Sequence, residues 1–419
     1  MALHLRNGDE NVKQHHEQRY KVSSLTNSLL QSSMLLLLTK FFQRSLGLIS
    51  TLILARILTP QDFGLVAMVT IALYLFDIFA VSGINQYIAQ KDVVTDDDLN
   101  CAWSVNLLLK SLVWLLFVLS IPFIVLFYNN QQLYTPLFAI SFVLLINGLN
   151  NPQMIMKERN LDYLTLFWLF SLQKVISFIC VLFIAFLTKS YWALIIGDLV
   201  AALTLCVLSY VKFSYRPKFY LKKWKEQWQF SQWMLLKGFL GYGRAQIDTI
   251  LVSKFFPAAD LGKYHMMRGL TVMPGTEIVA PMLQPLLAVF SRIRDDREYL
   301  GNQIRVAFLV LVGVIFPIWA YLFFEARLVI LFLLGDQWIA GEALFKNLSF
   351  LLLGFSIGYI SGNICIALGK VRVVFFYDLV SFLLIATSLG IIGRIDLENF
   401  ALLRSILEIC IVFCYWLLI

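Results

Sequence analysis

LTKFFQRSLGLISTLILARILTPQDFGLVAM (Leu38–Met68) decides how the rest of the chain is read. It predicts a membrane-spanning helix, a sharp turn marked by Pro60 and the start of a second span. Lys40 and Arg44 stand four residues apart, on one face of the first helix. A charge in a lipid-facing helix costs about 2.5–3.5 kcal/mol on insertion scales, so such side chains face a protein interior or a watery cavity. Two cations so placed predict a cavity that receives something anionic.

Composition agrees. Of 419 residues, 59% are hydrophobic and 14% charged, with a mean hydropathy of +0.76; soluble domains carry about 25% charged residues. Apolar runs of about 20 residues, enough to cross a bilayer, recur throughout. Twelve spans are predicted: 33–57, 63–88, 102–127, 133–150, 164–187, 191–211, 231–255, 263–290, 306–324, 342–368, 371–392 and 399–419. The fold class is therefore all-α, a polytopic membrane protein of about twelve helices with no room for a sizeable soluble domain. Residues 1–21 are polar and lack the short apolar core of a signal peptide. The six cysteines are scattered, with no CxxC, which argues against a disulfide framework or metal site.

Lys and Arg alternate in density between the spans. The tail carries Arg6, Lys13, Arg19 and Lys21, and the even loops carry Lys91, Lys157 and Arg159, Lys212 to Lys225, Arg292 to Arg297, and Lys370 and Arg372. The odd loops hold little beyond Arg56, Lys189, Lys263, Arg327 and Arg394. The positive-inside rule then places both termini in the cytoplasm. The sixth connection, KFSYRPKFYLKKWKEQWQ from Lys212, has Leu221, Trp224 and Trp228 at helical spacing. Beside a membrane span this reads as a short amphipathic helix on anionic lipid rather than a nucleic-acid patch. Four segments follow: a cytoplasmic tail (1–23), a first six-span lobe (24–212), a basic linker (213–230) and a second six-span lobe (231–419).

The two halves resemble each other. Leu38–Pro60 lies without a gap over Leu235–Pro257, LLKGFLGYGRAQIDTILVSKFFP, pairing Lys40 with Lys237, Phe42 with Phe239 and Pro60 with Pro257. One insertion later, Asp62 and Gly64 meet Asp260 and Gly262. Transporters built from two parallel halves place their substrate site between them.

Lys237, Gly241, Arg244 and Asp248 share one face of the seventh span, and Lys40, Arg44, Gly47 and Thr51 the matching face of the first. Lys40, Arg44, Lys237, Arg244 and Arg268 are the candidate anion-binding cations; alternatively such charges hold helices in register as ion pairs, Arg244 with Asp248 or Glu277 for example. Asp77, Asp248 and Glu277 are candidates for coupling to a proton or sodium ion, since a carboxylate can change charge as a cavity switches sides; they can equally neutralise a nearby arginine. Arg404 and Glu408, four apart, are expected to pair. The eighth span carries Pro274, Gly275, Pro281 and Pro285, which predicts a kinked or broken helix. Gly354, Gly358 and Gly362 read as a close-packing stripe, and Asp96 to Asp98 as helix capping rather than a metal–nucleotide cluster. No Walker A, HExxH or nucleophile-elbow motif occurs. No enzyme is indicated, and ATP is not used through a domain of this chain.

ARILTPQDFGLVAMVTIALYLFDIFAVSGINQYIAQKD (Ala55–Asp92) and MKERNLDY (Met156–Tyr163) resemble the bacterial polysaccharide transporter family. That family is allied to the multidrug/oligosaccharidyl-lipid exporters and lipid II flippases. The resemblance implies a flippase in the bacterial cytoplasmic (inner) membrane that moves undecaprenyl-diphosphate-linked oligosaccharide repeat units by alternating access. It also implies coupling to a proton or sodium gradient, no other cofactor, and partners among membrane lipids and the polysaccharide polymerase and chain-length machinery. Relatives continue with further helices beyond the position of Ile419, implying a short member or a truncated C-terminus. A multidrug-type cation antiporter of the same superfamily would want an acidic cavity, whereas the facing charges are mostly basic. A membrane polymerase or ligase would need a large external loop, and no odd loop is long.

Overall fold

Thr59 and Pro60 start the organising turn. The Thr59 hydroxyl accepts from the Asp62 amide, and Asp62 accepts in return from the Thr59 amide at 2.9 Å. This capping box, with proline at the first helical position where no amide bond is lost, stops helix α1 (Met34–Ile57) and starts α2 (Pro60–Phe79). The computed structural model describes residues 34–80, 83–392 and 396–418, all helical or connecting segments. The N-terminal tail and Arg394 lie outside the described residues.

The first half continues through α3 (Ile84–Gln90), α4 (Asp96–Tyr128), α5 (Tyr134–Gly148), α6 (Gln153–Arg159), α7 (Tyr163–Thr188) and α8 (Trp192–Lys212). The second comprises α9 (Trp224–Phe255), α10 (Ala258–Pro274), α11 (Ala280–Leu283), α12 (Leu286–Arg292), α13 (Arg297–Phe324), α14 (Ala326–Leu333), α15 (Glu342–Ala367), α16 (Val371–Ile392) and α17 (Leu397–Leu418). Ten helices among the described residues are long and apolar enough to cross a membrane, eleven if α5 and α6, bent by 65°, form one span. The helix α9 coincides with the predicted seventh span but is not among them, because Arg244, Asp248 and Lys254 interrupt its apolar stretch.

Three predicted elements differ in detail. The second span does not run unbroken to Ile88: Gly83, at φ 60°, separates α2 from α3. The linker does not form a separate surface helix. Phe213 to Leu221 run extended, and the helical residues from Trp224 continue into α9, since no glycine or proline intervenes before Gly238. The eighth span is broken as its prolines predict, with a π-helical turn at Gly275–Val279 between α10 and α11.

The extended linker is strapped across the start of α4. Asn100 Oδ1 accepts from the Lys218 amide at 2.7 Å, and Ser104 Oγ from the Tyr220 amide at 2.9 Å. Asp98, the capping-box acid of α4, is buried and receives Lys91 at 2.6 Å and Lys223 at 2.8 Å. The acidic triplet thus caps and anchors.

The two halves meet tightly at the end of the bundle where α1 turns into α2 and α9 into α10. There α2 crosses α10 with backbones in contact. A Cβ on Gly64 would lie 1.7 Å from the Ala258 carbonyl oxygen, and one on Gly262 would lie 1.8 Å from that of Pro60. The repeat register pairs Gly64 with Gly262, so the crossing is pseudo-twofold. Around it, Trp338 Nε1 donates to the Ala55 carbonyl at 2.8 Å, Arg56 to that of Phe332 at 2.7 Å, and Lys254 to that of Phe127 at 2.6 Å. These bonds close this end.

Candidate functional site

The helix α1 packs most deeply at its closed end, where Leu54 and Ala55 are buried; Met34, Leu37, Leu38 and Phe41 are exposed. Along its Lys40–Arg44–Gly47–Thr51 face, Gly47 and Arg44 meet different neighbours, and Lys40 is exposed. On one side, Lys174 of α7 brings its ammonium to 3.8 Å from the position a Gly47 Cβ would take. Glycine there makes room for a third cation one turn from Arg44. On the other side, Arg44 Nε pairs with Glu277 Oε1 at 2.7 Å, joining α1 to the π-turn of the second half. Lys40 and Lys174 have no carboxylate within 4.0 Å among the described residues. Lys174 interacts with Asp198 only at longer range, so this cationic face at membrane depth is incompletely neutralised and suited to an anion.

The second half disposes of its charge differently. Arg244 of α9 pairs with Asp378 of α16, donates to the Tyr377 hydroxyl at 2.7 Å and reaches Glu408 of α17 at 3.5 Å. Its guanidinium also sits 4.3 Å over the Tyr377 ring. Arg404 meets Glu408 at 2.8 Å, as its spacing predicts, and lies 3.3 Å from Asp248. Asp248 in turn accepts from Arg268 at 2.8 Å and from the Tyr264 hydroxyl at 2.9 Å. Three arginines therefore face three carboxylates across α9, α10, α16 and α17. Buried ions survive when paired and hydrogen-bonded in this way, and the network fixes the register of four helices.

The predicted site residues thus separate. Lys40 and Arg44 stand on the open wall; Arg244, Arg268 and Asp248 belong to the balanced network; and Glu277 is Arg44's partner. Asp77 lies 3.4 Å from Lys110 and lines a cavity within the first half. Lys237 falls within α9, but its side chain lies outside the described residues. The residue that sequence reasoning passed over is Lys174, and Gly47 was the available signal: a small residue on a cationic face marks a close approach from a neighbour.

Two related bundles, crossing through their second helices, define a multi-pass helical membrane protein. The chain matches "Lipid II flippase MurJ, inward closed conformation" with a TM-score of 0.73 and 17% identity, covering 90% of this chain and 86% of that one. It matches an inward-facing "multidrug resistance MATE family transporter of the MOP superfamily" with a TM-score of 0.64 and 13% identity, covering 90% and 93%. Residues 53–341 match the family described as "Polysaccharide biosynthesis protein", and the chain belongs to that family. It is 27% identical over 313 residues to an "Uncharacterized membrane protein in cps region" of Klebsiella pneumoniae, covering 70% of this chain and 62% of that one. It is 24% identical over 360 residues to "Lipopolysaccharide biosynthesis protein WzxC" of Escherichia coli (strain K12), covering 83% and 72%. The chain thus spans less than two thirds of the Klebsiella protein.

Proposed function

We propose that this chain is a flippase that carries undecaprenyl-diphosphate-linked oligosaccharide across the bacterial cytoplasmic membrane for surface polysaccharide synthesis. The observation that carries this reading is the cationic face of Lys40, Arg44 and Lys174. Lys40 has no carboxylate within 4.0 Å among the described residues, Lys174 meets Asp198 only at longer range, and Arg44 reaches across to the second half. A diphosphate is the anion such a cluster takes best, and its family and the name of its WzxC relative supply the sugar. The lipid tail stays in the bilayer while the headgroup passes between the halves, entering from the basic-loop end, which faces the cytoplasm. An antiporter for cationic drugs would want carboxylates on this wall. Coupling to a proton or sodium gradient is assigned to Glu277 or Asp77, which remain partly open; Asp248, enclosed by Arg268 and Arg404, is a structural anion. The polymerase and chain-length machinery would act on the delivered product.

The test is transport in vesicles, using a short polyprenyl diphosphate that carries one sugar and a fluorophore, with a quencher confined outside. Wild type should move the probe between leaflets and Lys40→Ala/Arg44→Ala should not, at equal amounts of folded protein. Equal movement in empty vesicles and with wild type would defeat the reading.

A further inference from the structure

The first half contains a cavity of about 200 Å³ between α2, α5, α7 and α8, separate from the α1 wall. Its polar lining is Tyr74, Asp77, Asn147, Gln173 and Asp198; Leu144, Ala201 and Leu205 contribute to the apolar side. We propose that it is a sugar subsite, taking one neutral or amino-bearing pyranose of the transported headgroup. The proposal rests on the flippase reading and adds to it the residues that select the sugar.

Size comes first. A cavity of about 150 Å³ holds one benzene ring, and drug-sized ligands need about 300 Å³ or more. At 200 Å³ the space suits a single six-membered ring with its hydroxyls. Chemistry comes second. Asn147 and Gln173, half-buried, and Asp198, exposed to the cavity, make no hydrogen bond to any described residue, although all three stand on helices of the transmembrane bundle. Polar side chains there need partners, and these three present donors and acceptors to the same space. An amide both gives and accepts, and a carboxylate accepts from two adjacent hydroxyls, so together they match the mixed polarity of a sugar edge. The Tyr74 ring offers a flat amphipathic surface beside them.

Charge narrows the sugar. Lys110 approaches Asp77 at 3.4 Å, and Lys174 faces Asp198 from beyond 4.0 Å, so two cations already stand opposite two carboxylates. An acidic sugar would bring a third carboxylate into this space, whereas a neutral or amino-bearing one would not. Position supplies the last step. Gln173 on the cavity wall is followed by Lys174, whose ammonium reaches the Gly47 notch beside Arg44. A diphosphate held at that notch leaves the sugar bonded to it within reach of the cavity.

The full chain in lipid nanodiscs would be titrated with three probes: farnesyl diphosphate, the same lipid bearing N-acetylglucosamine, and the same lipid bearing glucuronic acid. Wild type should bind the N-acetylglucosamine probe at least about tenfold more tightly than the glucuronic acid probe, a difference worth one or two hydrogen bonds. Asn147→Ala, Gln173→Ala and Asp198→Asn should each lose that advantage and keep the affinity for bare farnesyl diphosphate. Ala201→Leu, which fills the cavity from its apolar side, should lose it too while melting no lower than wild type, so a misfolded polar variant leaves the test intact. Variants that bind all three probes as wild type does would overturn the sugar subsite and leave the flippase reading standing. So would sodium binding that Asp198→Asn abolishes without any effect on sugar preference. Wild type that binds no diphosphate probe at all would instead overturn the flippase reading, and this inference with it.

Discussion

Arg44 of α1 and Glu277 of the π-turn meet at 2.7 Å across the two halves, so the helix bearing the cationic wall is tied to the broken span of the opposite half. The Arg44 side chain is 68% exposed, and pairs in that setting contribute about 0–1 kcal/mol. A tie that weak can be exchanged in each cycle, and a diphosphate competes for the same guanidinium. Glu277→Gln should therefore loosen α1 without unfolding the protein. A cysteine at Gly47 should then react faster with a membrane-impermeant maleimide, by up to about fivefold for 1 kcal/mol. An unchanged rate would show that the pair does not hold α1.

The α2–α10 crossing predicts a sharp steric effect. Gly64→Ala or Gly262→Ala puts a Cβ on top of a carbonyl oxygen, and overpacking of this kind costs about 1–3 kcal/mol. Gly313 in α13 has no atom within 4 Å of its Cβ position and serves as the control. Thermal melting in detergent should fall for the first two and not for Gly313→Ala. Melting of Gly64→Ala that matches the control would mean the crossing is looser than described.

The balanced network separates scaffold from site. Arg404 is fully buried between Glu408 and Asp248, so Arg404→Gln leaves three carboxylates facing two arginines and should cost about 3–5 kcal/mol. Arg244→Ala should also lower the melting temperature, having lost Asp378 and Tyr377. By contrast, Arg44→Ala, which gives up only an exposed pair, should lower melting far less than Arg404→Gln and fail in transport. If Arg244→Ala kept full stability and lost only transport, Arg244 would rejoin the anion-binding residues.

At the linker strap, Asp98 serves as capping acid and as partner of two lysines. Asp98→Asn should cost about 0.5–2 kcal/mol through the weakened cap. The hydrogen bond to Asp98 holds the Lys223 ammonium above its ordinary value. A raised lysine contributes fully below its unfolded pKa of about 10.4, and the contribution disappears only as pH rises through the folded value. Melting between about pH 6 and pH 9 should therefore show no loss from this pair. A melting temperature for Asp98→Asn equal to that of wild type would dismiss the strap as a stabilising contact.

Much of this architecture is written locally. The Thr59–Asp62 capping box, the prolines around Gly275 and the Arg404–Glu408 pair all follow from residues a few positions apart, and apolar runs place the helices. The partner of Arg244 is another matter. Periodicity gives the face on which Arg244 sits, yet Asp378 is 134 residues away and reaches it only when α16 packs on α9. For the same reason the alternatives considered for it, Asp248 and Glu277, belong to other arginines. Asn147 and Gln173 carry no charge, so a search for intramembrane charges passes over them; only the packing of four helices shows them facing one cavity.

The Gly64–Gly262 crossing has one more consequence. Where two helices touch through interlocked side chains, turning one against the other means unmeshing teeth. Here main chain lies on main chain, smooth on both sides and nearly the same from either half. Such a contact resists being pulled apart and leaves no side chain to unmesh at its centre, the property a bearing between the halves would need under the flippase reading.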